Sequence, residues 1–115
     1  TTLATRSYVQ LVKRAQALGY KVPLLFFYLE TPEQAIQRVA QRVSNGGHGI
    51  PEDVIRRRFK RGIENLVHLY LPICDNVTIW DNTKGEAQLI AKQTAENPQL
   101  DVLDQSMWNK LKDIL

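Results

Sequence analysis

The chain reads as an α/β layer fold with parallel strands, and three observations carry that expectation. Residues 21–29, Lys-Val-Pro-Leu-Leu-Phe-Phe-Tyr-Leu, form a near-continuous apolar run of the kind found in a strand covered on both faces. Residues 77–80, Val-Thr-Ile-Trp, form a second, shorter run that closes at Asp81-Asn82. The segments before and between them carry apolar residues at helical spacing. The order helix, strand, helix, helix, strand is that of helical crossovers on a parallel sheet.

Each element has its own local signals. The first helix ends at Leu18, with Tyr8, Leu11, Val12, Ala15 and Leu18 on one face and Gly19 in the position just past a helix end. Thr2 or Thr5 is the expected cap. The strand at 22–29 tolerates Pro23 only near its start. Thr31-Pro32-Glu33-Gln34 begins the next helix with a threonine cap, proline in the first turn and glutamine completing a capping box. Its buried stripe is expected to be Ala35, Ile36, Val39, Ala40 and Val43, and it should stop at Ser44-Asn45-Gly46-Gly47.

Ile50-Pro51-Glu52-Asp53 starts a third helix, with two acids where the helix dipole favours them. Ile55, Phe59, Gly62 or Ile63, and Leu66 make its apolar side. The two helices form a hairpin over about 32–68. Residues 84–103 read either as a helix or as a β-hairpin around Asn97-Pro98, with the hairpin favoured. Asp104 or Ser106 caps a last helix that turns Trp108, Leu111 and Leu115 inward.

Composition limits what the protein can be. A chain of 115 residues supports one core and is too short for two ordinary domains. The longest apolar run falls well short of the roughly 20 residues that a membrane helix needs. No signal peptide is visible, so a cytoplasmic location is expected. The single cysteine, Cys74, excludes an internal disulfide, and with only His48 and His68 it makes a poor zinc set. The chain begins at Thr1 without an initiator Met and reads as a piece of something longer.

Charge is concentrated. Residues 38–61 hold seven of the fifteen Lys+Arg (Arg38, Arg42, Arg56, Arg57, Arg58, Lys60, Arg61) against Glu52 and Asp53, so this stretch is +5 while the whole chain is +3. An anion handled by this protein is expected to meet it here. Arg58, Arg61 and Asn65 share a helical face, with Arg57 beside it. Convergent arginines on a hairpin with a glycine break suit phosphoryl transfer, where catalysis is positioning plus stabilisation of spread negative charge. Guanidinium supplies permanent charge and a planar fork of donors for phosphate oxygens. The plain alternative is a solvated helix face, which spacing alone slightly favours. A third reading takes residues 56–61 as a nucleic-acid patch; the small net charge and the apolar placement of Phe59 argue against it.

The string Arg42-Val43, Gly46-Gly47-His48, Ile50-Pro51-Glu52, Ile55-Arg56-Arg57-Arg58-Phe59, Arg61, Asn65-Leu66 resembles the lid region of the zeta-toxin-like family of P-loop kinases, also described as predicted ABC-type ATPases. Thr1-Thr2-Leu3 with Arg6 is similar to the residues just after the family's Glu-Thr-Thr segment, and Val77 to Asn82 to its late strand. The resemblance spans nearly the whole chain. It implies part of a three-layer, P-loop kinase-like fold, with parallel strands at about 22–29 and 77–81, that uses ATP and Mg²⁺ on a small-molecule acceptor. Well-known members phosphorylate UDP-N-acetylglucosamine and are toxins paired with an antitoxin. By position, Arg42, Arg58 and Arg61, then Arg57, are the phosphate contacts, with Arg58 and Arg61 catalytic and Asn65 orienting them. Thr2 and Arg6 line the substrate side, and Asp81 and Asn82 lie on the nucleotide side. His48 is a candidate substrate contact, though a histidine in a glycine turn more often anchors the loop.

The chain departs from the family in one large respect. No Gly-x-x-x-x-Gly-Lys-Ser/Thr occurs, so the phosphate-loop lysine and the hydroxyl that holds Mg²⁺ are missing, as are the catalytic-base aspartate and the glutamate before Thr1. The chain therefore resembles the C-terminal half of such a kinase, expected to be inactive in transfer by itself. The competing expectation is a non-catalytic binding module for nucleic acid or a protein partner. A sheet cut in this way leaves an unpaired edge along 22–29, so the chain is expected to dimerise or to pair with the absent half.

Overall fold

Pro23, which has no backbone N–H to offer a sheet, opens the first strand. In the computed structural model, which describes residues 3–115, strand β1 (Pro23–Tyr28) pairs in parallel with β2 (Asn76–Asp81) in register Pro23↔Asn76 through Tyr28↔Asp81. Strand β3 (Gln88–Gln93) runs antiparallel to β2 and β4 (Asp101–Val102) antiparallel to β3, giving the order β1-β2-β3-β4. The sheet is mixed: a parallel pair extended by a hairpin, which settles the 84–103 segment as strands. The β2–β3 register shifts between Ile79 and Trp80. β1 is an edge strand, and its far side carries no partner among the described residues.

Among the described residues four α-helices accompany the sheet: α1 (Tyr8–Ala17), α2 (Pro32–Ser44), α3 (Glu52–Asn65) and α4 (Gln105–Asp113), with a π-helical turn at Leu66–Tyr70 continuing α3. The α2 cap forms as expected: Thr31 Oγ1 accepts from Gln34 N at 3.3 Å, and Gln34 Oε1 accepts from Thr31 N. Asp104 Oδ1 caps α4 through Met107 N. Two start sites differ. Ser7, not Thr5, precedes α1, and Thr5 Oγ1 instead accepts from Ser7 N. Pro51 caps α3 rather than opening its first turn, because its ψ of 144 is still extended. Thr2 lies outside the described residues.

The core contains Tyr28, Ile63, Leu66, Tyr70, Val77, Ile79, Ile90 and Leu111, each almost wholly buried. Full burial of an Ile or Leu side chain contributes about 1.5–3 kcal/mol. Asp75 ties the two parallel strands together at their starts. Its Oδ2 accepts from Val22 N at 2.7 Å and from Gln16 Nε2 at 3.2 Å, while Gln16 Nε2 also donates to Ile73 O. These donors hold the Asp75 carboxyl below the ordinary aspartate range.

Three packing expectations are corrected. On α1 the inward residue is Val12, with Val9 beside the core, while Leu11 and Leu18 are exposed. The α2 stripe is not buried: no α2 residue is fully enclosed, and Val43 is exposed. Leu115 is exposed rather than inward. The α2 result has a direct cause in the topology. α2 packs on α3, and with β1 at the sheet edge its apolar side looks onto an open groove instead of another layer.

Candidate functional site

The glycine break builds one side of the site. Asn45 follows α2, Gly46 takes φ +94, a left-handed value that suits glycine, and Gly47 N donates to Arg42 O at 2.8 Å. The chain then returns through Ile50 and Pro51 into α3. Arg56 points away from the cleft that results, bonding Glu33 Oε1 at 2.7 Å and joining α3 to α2. The next two residues, Arg57 and Arg58, with Arg61 one turn later and Arg42 from α2, line a cleft of about 690 Å³ whose other walls are Ala4, Thr5 and Ile50. Among the described residues, none of these four arginine side chains makes an ion pair or a hydrogen bond, and no carboxylate lines the cleft.

The opposite wall is held from the core. Asn65 Nδ2 donates to Leu3 O, and Tyr70 Oη donates to Thr5 O, both at 2.7 Å. Burial pushes the Tyr70 hydroxyl above the ordinary tyrosine value, which keeps it a neutral donor. Asn65 is thus turned toward the Leu3–Thr5 segment, and its amide bonds that backbone rather than orienting an arginine.

A second concavity, an apolar groove of about 470 Å³, runs beside the cleft and shares Arg42, Ile50 and Arg58 with it. Five consecutive residues, Leu25 through Leu29, form its floor, so it follows the free edge of β1. Ala35, Val39, Ile55, Phe59 and Ile63 form the facing wall. Leu25 and Phe27 are more than half exposed. Phe59 lines this groove and packs against the core, on the apolar side of α3 where the sequence put it.

The other expected site residues lie elsewhere. Asp81 is buried at the end of β2, where its Oδ1 accepts from Thr83 N; Asn82 N donates to Tyr28 O, and Asn82 O accepts from Arg38 Nη2 at 2.7 Å. Neither lines the arginine cleft, but α2 spans both places, with Arg38 on Asn82 and Arg42 one turn further along in the cleft. Arg6 and His48 are exposed and line neither concavity. Sequence reasoning missed Ala4, Thr5 and Ile50 as walls and Tyr70 as their support. A small or apolar residue carries no local sign that a distant helix will face it.

As to what the site can hold, four guanidinium groups without acid partners fit a polyanion such as the phosphates of ATP. They do not fit Mg²⁺, which takes oxygen ligands. Among the described residues there is no group of three or more His, Cys, Asp or Glu placed to hold a metal ion. None of the described helices is long and apolar enough to cross a membrane.

No family model and no solved structure matches the chain. A protein of Haemophilus influenzae described as uncharacterized is 34% identical over 59 residues, covering 51% of this chain and 42% of that protein. The chain thus spans under half of the length of the curated relative it matches.

Proposed function

We propose that residues 38–66 form the arginine arm of a phosphate site in a zeta-toxin-like, ATP-dependent small-molecule kinase, and that this chain is the C-terminal part of such a domain. The observation that carries the reading is the convergence of Arg42, Arg57, Arg58 and Arg61 on one cleft while the neighbouring Arg56 is neutralised by Glu33. A solvated face would scatter its cations and pair them with nearby acids. Here Arg42, Arg57, Arg58 and Arg61, though exposed, line one cleft together. In this reading Arg42 and Arg57 hold the nucleotide's phosphates, and Arg58 and Arg61 stabilise charge on the transferring group. Thr2, Arg6 and His48 belong to the acceptor side, the acceptor being a hydroxyl compound of the UDP-sugar type. Asp81 and Asn82 lie toward the nucleotide's base.

The phosphate loop and the ligands for Mg²⁺ would come from polypeptide beyond these residues. The open edge of β1 supports that division, because a strand laid against it would extend the parallel pair and close the groove. An antitoxin partner goes with the same family reading.

Calorimetric titration of the chain with tripolyphosphate and with Mg·ATP tests the proposal, in parallel with single-stranded DNA across a salt series. Arg42→Ala and Arg58→Ala should each weaken tripolyphosphate about tenfold or more, since a charge-assisted hydrogen bond contributes about 1.5–3 kcal/mol. Unchanged affinity in both variants would sink the phosphate reading. Tighter binding to DNA than to ATP, with a steep salt slope, would move the assignment to a nucleic-acid module.

A further inference from the structure

We propose that Gly47 is a positioning residue for Arg42, holding the arginine's stem by backbone contact so that its guanidinium stands ordered and unpaired over the cleft. The inference rests on the phosphate-site reading above. Gly47 N donates to Arg42 O at 2.8 Å, which lays residue 47 flat against the last turn of α2. A Cβ built on Gly47 would fall 2.5 Å from Arg42 Cγ and 2.8 Å from Arg42 O. The first neighbour is a side-chain stem that could swing away only by giving up its present rotamer, and the second is helix backbone that cannot yield. Glycine at 47 is therefore a requirement of space. Its φ lies outside the left-handed range, in contrast to Gly46, where φ is +94 and a Cβ would meet nothing within 4 Å.

The two arginines of α2 are ordered by different means. Arg38 has its guanidinium tied to Asn82 O at 2.7 Å, which orders the side chain but uses a donor. Arg42 has no such bond among the described residues, and its side chain lines both the cleft and the groove. A free arginine on an exposed helix face carries substantial rotamer entropy, lost when a ligand fixes it. Packing at Cγ restricts the first torsions of the side chain without touching its charge. An acid partner would give the same order but would compete with the incoming phosphate. A glycine backbone against the stem does not compete.

The test is a four-corner cycle of wild type, Gly47→Ala, Arg42→Ala and the double variant. Tripolyphosphate affinity is read by calorimetry, and Arg42 Nε–Hε by NMR relaxation. Gly46→Ala serves as a control that strains the same loop without placing an atom near Arg42. The expected result is about a tenfold loss for Gly47→Ala in the presence of Arg42 and less than twofold in the Arg42→Ala background. Arg42 Nε should be rigid in wild type and in Gly46→Ala and mobile in Gly47→Ala. Equal losses in both backgrounds, or an Arg42 Nε equally mobile in all proteins, overturns the proposal. If tripolyphosphate binds none of them, the phosphate-site reading fails by itself. The relaxation data then still separate a held Arg42 from a free one.

Discussion

Asn65 Nδ2 donates to the carbonyl of Leu3 at 2.7 Å, a buried bond between the end of α3 and a segment 62 positions away. Leu3 has φ 59, a left-handed conformation that costs a residue with a Cβ about 1–2 kcal/mol. The bond holds that strained residue in place, and with it the Ala4–Thr5 wall of the arginine cleft. Asn65→Ala removes one buried hydrogen bond to the Leu3 carbonyl, and urea unfolding should report a loss of about 0.5–1.5 kcal/mol. The same variant should weaken tripolyphosphate binding. A loss below about 0.5 kcal/mol, within the range of ordinary surface changes, would show that the strain is held by other contacts.

Tyr70→Phe deletes the hydroxyl that bonds Thr5 O at 2.7 Å while keeping the ring, in a residue that is 1% exposed. A loss of about 1 kcal/mol is expected in urea unfolding. Combined with Asn65→Ala, the effects should be non-additive, because both bonds hold one short segment. Strict additivity would mean that the two contacts act on independent parts of the chain.

Arg56 and Arg58 are two residues apart but have opposite assignments. Arg56→Ala removes an exposed ion pair with Glu33, and tripolyphosphate affinity should stay within about twofold, as for a surface pair of small energetic weight. Arg57→Ala, from the cleft-facing set, should lower it more than Arg56→Ala does. The reverse order would place the anion on the outer face of α3.

Acid and alkali should each weaken the fold through a named group. The Asp75 pKa is lowered by the Val22 N–H, by Gln16 and by the nearby Lys21 charge. Its contribution is complete above the unfolded value of about 3.8 and is lost as pH falls through the lower folded value. Asp75→Asn should remove that acid limb from the thermal midpoint measured against pH. The Tyr28 pKa is pushed up to about 12, chiefly by burial, then by the charges of Glu30 and Asp81. Its contribution is complete below the ordinary value of 10.0 and is lost as pH rises from there toward about 12. A Tyr28→Phe protein whose midpoint falls with pH over that window as steeply as wild type would rule the assignment out.

The exposed apolar edge of β1 should drive association. Sedimentation of the 115-residue chain is expected to show self-association that rises with concentration, and Phe27→Glu, at a position 52% exposed, should leave the chain monomeric and folded. A wild-type protein that stays monomeric at high concentration would mean that the edge is protected in some other way.

Local signals carried much of this architecture. The apolar run at 22–29 and the Val-Thr-Ile-Trp run became the parallel pair, Thr31 with Gln34 formed its capping box, and Asp104 capped the last helix. The caps come from interactions spanning a few residues and the two runs from local apolar patterning, which sequence spacing specifies directly, whereas their pairing joins distant parts of the chain. The facing of Arg57, Arg58 and Arg61 was legible for the same reason, since one helix sets their relative angles. Burial was not legible where it depended on what lies across the interface. The apolar stripe of α2 reads like any core stripe, yet it faces a groove because β1 ends the sheet. Asn65 reads as one of the arginine face, yet its amide goes to Leu3, and the wall formed by Ala4, Thr5 and Ile50 depends on contacts between segments far apart in the chain. Helical and strand periods are short-range properties of the backbone and are written in the order of residues. Which side chain meets which across the fold is settled only when the elements pack.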